Sequence, residues 1–393
     1  MSRPSRGEAA IAQLDQQLAE MGVQVSPPVK SESELWWTEH FGWLKDCGYL
    51  LRPRYRPGWK PSWRTGKDSY WNYEDGREPD DNTPHSMEAI RMSDSLVVGL
   101  KRRSSCGFRQ SSDEESVATK ERVAPLVSDY ANPLSYCFYL LDVLQVPDDE
   151  DEQVLVLVSV REVMDPSFRT IGEVLEFLKE MIQVIQNMHR NNTAHRDCSM
   201  NNMAMNSISM YTRQWYPNIL KKRYNWSGRA PYHSRTRRPP TYLLFSFGSS
   251  RQYDPSQPRP AEFAIRSGKS FSPEAQKNMP CDPFATDIFL LGNMMCTSFL
   301  KGDDEFAGIR GLEFLGPLIE SMMADDPTKR PTMDEVASQF TAIVSKLPWW
   351  KLRARAAKKD ELSSSKPFRA VYHILWTSSM VLMRKPAIPS PKP

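Results

Sequence analysis

The segment 170–188 constrains the fold more than any other part of the chain. Thr170 and Glu173 have the spacing of a capping box, in which two side chains bind the exposed backbone donors at the start of a helix. Behind them, apolar residues recur at helical spacing, namely Ile171, Val174, Leu175, Leu178, Met181, Ile182, Ile185 and Met188. The pattern therefore predicts a long helix that buries one stripe of its surface.

The segments on either side of this helix differ in character. Before it, β-branched and aromatic runs predict strands over 95–102, 136–144 and 154–160, and the acidic turn at 147–152 makes the last two a hairpin. After it, we predict one helix over 284–300 and another that begins at the capping box Thr332–Glu335. The chain is therefore predicted to be α+β, with a strand-rich first part and a helix-rich second part.

Composition indicates the class of protein and its compartment but not its function. The formal net charge is only +3, and 40% of the residues are hydrophobic, as in an ordinary globular protein. The six cysteines are scattered without a C-x-x-C pair, which is typical of a reducing compartment. The first residues have no apolar core of a secretory signal, and the apolar run at 370–383 is shorter than the roughly 20 residues that span a bilayer. We expect a cytoplasmic or nuclear protein that is neither secreted nor in contact with a membrane.

The composition also changes along the chain. Residues 1–30 are polar and contain proline, so we expect a disordered tail there. The strand-rich part spans 31–165 and opens with a segment dense in Trp, Pro and Arg, whose prolines forbid long helices and whose aromatic rings need burial. The helix-rich part spans 166–347, and a C-terminal tail follows at 348–393.

The loop after the long helix carries the clearest chemical motif. His195–Asn202 reads H-R-D-x-x-x-x-N, the catalytic loop of protein kinases. In that loop the aspartate, here Asp197, accepts the proton of a substrate hydroxyl, and the asparagine, here Asn202, holds a metal ion on the phosphates. The plain alternative is a surface loop that happens to contain a charged tripeptide after a helix.

Further segments make the chain resemble the protein-kinase superfamily over about residues 95–345. They follow in the order of the family: Val98–Lys101 as the V-A-I-K strand, His195–Asn202, Leu243–Gly248 as the strand into D-F-G, Ser272–Glu274 as A-P-E, Asp287–Gly292 as the start of a large buried helix, and Arg330 as the partner of Glu274. The aromatic N-terminal segment and a long insertion also resemble the protein-kinase-domain proteins expanded in mushroom-forming fungi (basidiomycetes).

The resemblance implies a two-lobed kinase-like fold with a small strand-rich lobe, a larger helical lobe and a site for ATP and Mg²⁺. Lys101 would bind the phosphates and pair with a glutamate of the helix predicted at 112–123. Glu121 is our choice for that partner, with Glu114 and Glu115 as competitors, and all three equally fit a solvated helix face. Lys101 itself also fits an exposed lysine at the end of a strand.

Three departures from the family pattern bear on activity. Ser246 stands where the D-F-G aspartate bridges the metal ions, and a neutral hydroxyl supplies no charge to hold Mg²⁺. No G-x-G-x-x-G precedes Lys101, and Ser199 replaces the lysine usual in serine/threonine kinases. We expect the metal site, and with it phosphoryl transfer, to be severely weakened.

The insertion at 207–240 is basic and aromatic. From 207 to 244 it has no acidic residue, and it interleaves arginines and lysines with Tyr and Trp rings. Such a segment suits the backbone and bases of a nucleic acid, or an acidic protein. We favour instead a hairpin whose rings pack on the helical part while its charges face water.

Three hypotheses of function follow. The first is a pseudokinase, a binding or regulatory module that acts through a protein partner. The second is an active or residual kinase that uses Lys101, Asp197 and Asn202 with an atypical metal site. The third is binding of RNA or an acidic partner through 207–240. In the kinase hypotheses Arg196 would also read a phosphate on one of the serines that follow the S-F-G motif, namely Ser249, Ser250, Ser267 and Ser270.

Overall fold

The computed structural model describes residues 30–64, 72–76, 85–104, 140–147, 149–216, 219–265, 271–362, 364 and 366–391. These residues form mixed helices and antiparallel strands, so the α+β prediction is confirmed. The tail predicted at 1–30 and the helix predicted at 112–123 fall outside the described residues, Lys30 excepted.

The first part of the chain is built on a five-stranded antiparallel sheet in the order β1-β2-β3-β5-β4. Its strands are β1 (Tyr49–Leu51), β2 (Ser86–Arg91), β3 (Leu96–Ser104), β4 (Leu140–Gln145) and β5 (Glu152–Val158). The strand predicted at 95–102 is therefore β3, and the predicted hairpin is β4–β5, paired antiparallel from Leu140–Leu157 to Gln145–Gln153. Alternation along β3 buries Val98 and Leu100 on one face and leaves Lys101 exposed on the other.

Two short helices cover the buried face of this sheet. α1 (Glu32–Glu39) and α2 (Phe41–Asp46) share one apolar core with the strands through Trp37, Phe41 and Leu44. The Trp/Pro/Arg-rich segment is packed there by a buried ion pair, in which the Arg54 Nε lies 2.6 Å from a carboxylate oxygen of Glu34. Within the described residues the helices of this segment are short and the rings of Trp37 and Tyr55 are buried, as its prolines and aromatic residues led us to expect.

Helices dominate the second part. They are α3 (Ile171–Arg190), α4 (Pro273–Gln276), α5 (Pro283–Met295, continued by a π-helical turn Cys296–Leu300), α6 (Gly316–Met322), α7 (Met333–Ser345), α8 (Trp349–Leu352) and α9 (Lys366–Leu382). Single 3-10 turns occur in both parts of the chain. They lie at Pro53–Tyr55, Ser62–Arg64 and Glu74–Gly76 in the first part, and at Met200–Asn202, Ile208–Met210, Phe247–Ser249, Glu313–Leu315 and Pro327–Lys329 in the second. α3 is the predicted core helix, and its apolar stripe packs against α5, α6 and α7 in one core.

The two predicted capping boxes form differently. Thr332 and Glu335 bind each other's backbone N–H groups as expected. Thr170 accepts the N–H of Glu173, but the carboxylate of Glu173 binds the N–H of Arg169 at 2.7 Å, one residue earlier than predicted. Its other oxygen accepts the Thr236 N–H at 2.9 Å, so this carboxylate also fixes the end of the insertion to α3.

Short strands connect the helices. They are β6 (Arg161–Glu162), β7 (Thr193–Ala194), β8 (Met203–Asn206), β9 (Trp215–Tyr216), β10 (Ile219–Arg223), β11 (Thr241–Leu244), β12 (Arg251–Gln252), β13 (Glu262–Phe263) and β14 (Pro280–Cys281). β8 lies between β6 and β11, β7 pairs with β12, and β13 pairs with β14. Because β11 pairs with β8, the residues after it come to lie beside the loop that precedes β8.

The basic insertion contacts both parts of the chain, which the sequence did not predict. Trp215 and Tyr216 of β9 are buried, as expected for packed rings, but the Tyr216 hydroxyl accepts a hydrogen bond from Arg52 beside the sheet. The Trp226 Nε1 donates to the Asn72 carbonyl oxygen at 2.9 Å. The rings therefore contact the strand-rich part through Tyr216 and Trp226, in addition to the packing of Tyr211 on the helical core.

Most charges of the insertion do face water, although Lys222 and Arg223 are partly buried. Arg213, Lys221, Arg229, Arg237 and Arg238 are exposed. Arg235, by contrast, is 2% exposed, and its guanidinium donates to the carbonyl oxygens of Val163 and Pro166 at 2.7 and 2.5 Å. It therefore acts as a structural bridge between the insertion and the segment that leads into α3.

The C-terminal residues fold back onto the start of α3. The backbone at Ala387 lies very close to Gly172. A side chain at position 172 would overlap the Ala387 carbonyl group. The His373 imidazole of α9 binds the Arg353 carbonyl oxygen at 2.9 Å. In the described part of the chain, none of the helices has both the length and the apolar character needed to cross a bilayer.

Candidate functional site

The loop His195–Asn202 is held from below by Asp287 of α5. This carboxylate is completely buried, and its two oxygens accept the backbone N–H groups of His195 at 2.7 Å and Arg196 at 2.6 Å. The His189 Nε2 of α3 lies 3.0 Å from the same group. One side chain thus fixes the backbone of the loop relative to both long helices.

His195 is a second internal support of the loop, and its hydrogen bonds define its tautomer. Its Nε2 lies 3.1 Å from the carbonyl oxygen of Phe245, which only accepts, while its Nδ1 lies 3.2 Å from the N–H of Asp197, which only donates. The ring is therefore neutral, with its proton on Nε2. Burial lowers the pKa of His195 and outweighs the opposing effect of the nearby Asp287 carboxylate.

The three residues predicted around the metal site do lie together. The Asn202 Nδ2 donates to the Asp197 carbonyl oxygen at 2.9 Å. The Phe245 N–H donates to the Asn202 carbonyl oxygen at 2.9 Å, which places the next residue, Ser246, beside this loop. Asp197 and Asn202 are partly buried and Ser246 is exposed. The backbone contacts therefore bring residues 197, 202 and 246 to neighbouring positions.

The backbone at Ser246 has an unusual conformation. Its φ and ψ are 69° and 53°, the left-handed region that Asn and Asp tolerate better than most residues. The chain then turns through Phe247–Ser249, and the Phe247 ring meets the His195 ring edge to face at 5.3 Å. The position therefore suits an aspartate in backbone geometry, although the chain carries a serine.

Lys101 is on β3 as predicted, and its side chain is exposed. Glu121, its preferred partner, and the competitors Glu114 and Glu115 lie outside the described residues. Among the residues that the structure describes, no group of three His, Cys, Asp or Glu side chains is arranged to hold a metal ion.

The expected pair of Glu274 and Arg330 is present. Both nitrogens of the Arg330 fork lie 2.8 Å from the Glu274 carboxylate, and both side chains are buried. Burial alone would raise the pKa of Glu274, but the hydrogen bonds from Arg330 lower it to about 2. This ion pair ties α4 to the loop before α7.

Arg196 has a partner that the sequence did not reveal. Its guanidinium lies 3.2 Å from the Glu262 carboxylate, which also binds Arg251 at 2.7 Å. Of the serines proposed as phosphate acceptors, Ser250 is buried and donates to the His195 carbonyl oxygen at 3.3 Å, and Ser267 and Ser270 lie outside the described residues. Glu262 belongs to no motif, so no sequence signal marked it.

No protein-family model matches the chain, and no curated protein matches it either.

Proposed function

We propose that the chain has a two-lobed protein-kinase-like fold and acts as a pseudokinase, a binding or regulatory module that works through a protein partner. Three features support the kinase-like fold: the five-stranded antiparallel sheet, the core helix α3 and the loop His195–Asn202 that follows this helix. The pair Glu274–Arg330 supports it further, because this pair was expected from the kinase resemblance alone.

The observation that carries the proposal is the serine at position 246. The Phe245–Asn202 hydrogen bond puts residue 246 beside Asn202, where an aspartate of a kinase bridges the metal ions over the phosphates. A neutral hydroxyl adds no charge there, so Asn202 would hold Mg²⁺ with half of the usual ligand set. We infer weak binding of ATP, with little help from Mg²⁺, and strongly impaired phosphoryl transfer.

One observation favours residual transfer as a second candidate function. The Asn202 side chain binds the Asp197 carbonyl oxygen, and the partly buried carboxylate of Asp197 stands at the position of the proton acceptor in the kinase loop. Phosphate transfer by the wild-type chain that Asp197→Asn abolishes would establish this second candidate and refute the pseudokinase.

The proposal is tested by restoring the missing charge. Thermal unfolding of wild type, Ser246→Asp and Ser246→Asn is followed with ATP, with and without Mg²⁺. The two variants differ in charge alone, and both side chains suit the left-handed backbone at 246. A ligand at about 100 times its Kd stabilises a protein by about 2.7 kcal/mol, which is a shift of several degrees in the melting midpoint.

We expect a Mg²⁺-dependent rise in the midpoint for Ser246→Asp and none for Ser246→Asn or wild type. Lys101→Met in the Ser246→Asp background should remove that rise, because the lysine would bind the phosphates. A large Mg²⁺-dependent rise in wild type would contradict the proposal. Equal responses of the aspartate and asparagine variants would show that residue 246 does not lie at a metal site.

A further inference from the structure

α9 carries apolar side chains on the face that it turns to solvent. Phe368, Val371 and Leu375 follow one another at helical spacing, and Leu382 continues the same row two turns later. These four side chains, which we call the α9 stripe, are 79%, 59%, 68% and 83% exposed. Monomeric proteins rarely leave a contiguous apolar patch of this kind bare, so the stripe is a candidate binding surface.

The opposite face of α9 is packed on the protein, which fixes the direction of the stripe. The His373 Nε2 lies 2.9 Å from the Arg353 carbonyl oxygen, and Met380 is buried. The Arg169 guanidinium lies 5.3 Å from the centre of the Trp376 ring. Turning the α9 stripe inward would break these contacts, so a partner has to cover it from outside.

The charge around the α9 stripe indicates what kind of partner fits. Residues 362–393 contain no acidic residue and five basic ones, namely Lys366, Arg369, Arg384, Lys385 and Lys392. Two copies of α9 would therefore repel each other if they paired directly. A helix with an apolar row and acidic residues is the complementary surface.

The N-terminal residues of this chain have that pattern. Ser5 and Glu8 have the spacing of a capping box, and Gly22 suits the end of a helix. Between them lies an apolar row at spacings of three, four and three residues, formed by Ile11, Leu14, Leu18 and Met21. Positions 368, 371, 375 and 378 of α9 have the same three spacings, which is the relation that lets two helices pack side by side.

The charge of the N-terminal segment is opposite to that of α9. Residues 7–29 contain Glu8, Asp15 and Glu20 and no basic residue. A helix of this length is only marginally stable alone in water, and a segment that is disordered by itself can fold when it binds. The disordered tail expected from composition and a helix formed on docking are therefore compatible.

We propose that the α9 stripe binds the N-terminal segment 5–22 of a second copy of this chain. Only four residues, Ser26–Val29 with two prolines, join the segment to Lys30, and four residues span at most roughly 14 Å. Lys30 is bound to Thr38 in the strand-rich part, whereas α9 packs on the helical part. A second copy meets no such restriction, and two reciprocal contacts would then form a symmetric dimer.

The test measures the molar mass of the full-length chain by sedimentation velocity over a range of protein concentrations. The segment variant is Leu14→Asp/Leu18→Asp, which places charge in the apolar row. Its control is Gln13→Asp/Gln16→Asp, which adds the same charge on the opposite side of the predicted helix. The experiment needs no nucleotide, so its result is independent of the proposed pseudokinase function.

The matching stripe variant is Val371→Asp/Leu375→Asp. Its control is Met92→Asp/Met279→Asp, because both methionines are exposed and lie outside α9. We expect wild type and both controls to dimerise as the concentration rises, and both the segment variant and the stripe variant to stay monomeric. If the stripe variant fails to fold, Val371→Ser/Leu375→Ser removes the apolar contact without adding charge, and the same loss of dimer is expected.

Mixing the two variants gives the decisive result. An equimolar mixture should form a heterodimer, because the intact segment of the stripe variant meets the intact α9 of the segment variant. One contact then replaces two, so the Kd of this heterodimer should exceed that of wild type by at least about tenfold. A wild type that stays monomeric, a segment variant that dimerises like wild type, or a mixture that stays monomeric would each overturn the inference.

Discussion

Replacing Asp287 with asparagine tests how the candidate loop is held. The carboxylate offers one oxygen to each of two backbone N–H groups, those of His195 and Arg196, at 2.7 and 2.6 Å, and it is completely buried. An asparagine keeps one oxygen and places an NH₂ group, itself a donor, against the second N–H. One charge-assisted bond then becomes a neutral one and the other is lost with a buried donor left unpaired. These effects together cost between about 3 and 5 kcal/mol of unfolding free energy.

The assay is urea unfolding, together with hydrogen exchange of the His195 and Arg196 amides. Asp334→Asn is the control. The Asp334 carboxylate likewise binds two donors, the side chains of Gln186 and Arg190, but it lies exposed on the surface. We expect a large loss of stability and faster exchange for Asp287→Asn, with little change for the control. If Asp287→Asn loses no more stability than Asp334→Asn, the carboxylate does not hold the loop and the reasoning fails.

Two further predictions concern the pH dependence of stability. Arg330 lowers the pKa of Glu274 from 4.5 to about 2, so the pair stabilises the fold above pH 4.5 by about 3 kcal/mol and this contribution is lost as the pH falls toward 2. Melting midpoints should therefore depend less on pH across that window in Glu274→Gln than in wild type. Burial raises the pKa of Glu180 to about 8, so wild type loses stability as the pH rises from 4.5 through 8. The side-chain oxygen of Glu180→Gln still accepts the Tyr242 N–H. In urea titrations, the unfolding free energy of this variant should exceed that of wild type by roughly 3 kcal/mol near pH 7 and should equal it near pH 4.5.

Elements that depend on local patterns could be predicted from the sequence. The helix at 170–188 and the hairpin at 136–160 follow from spacing and turn composition, because neighbours along the chain decide them. The loop His195–Asn202 could be placed by its motif, and Glu274 was paired with Arg330 through the family resemblance. These are cases in which either the local period or a fixed spacing carries the information.

Contacts between charged residues far apart in the chain could not be predicted. Arg235 lies in a basic run that favours a solvated surface, yet it is buried against carbonyl oxygens some 70 positions earlier. Glu262 has no motif, and its ion pair with Arg196 joins β13 to the loop His195–Asn202. Tertiary packing decides such pairs, and composition records only that a charge is present.

The distribution of charge around the loop agrees with the proposed pseudokinase function. The buried or half-buried carboxylates that position the loop, Asp287 and Glu262, each bind two or more donors and act through packing. Residue 246 is exposed, and a carboxylate there would act on a bound metal rather than on the fold. The chain thus carries negative charge at the two positions where it stabilises the loop and keeps Asp197 in the loop itself, but it has a neutral serine at position 246, where the proposed kinase-like site would lack a metal ligand. A chain that needs the shape of the site more than its chemistry would have this arrangement, which is the reason to look for its partner before its substrate.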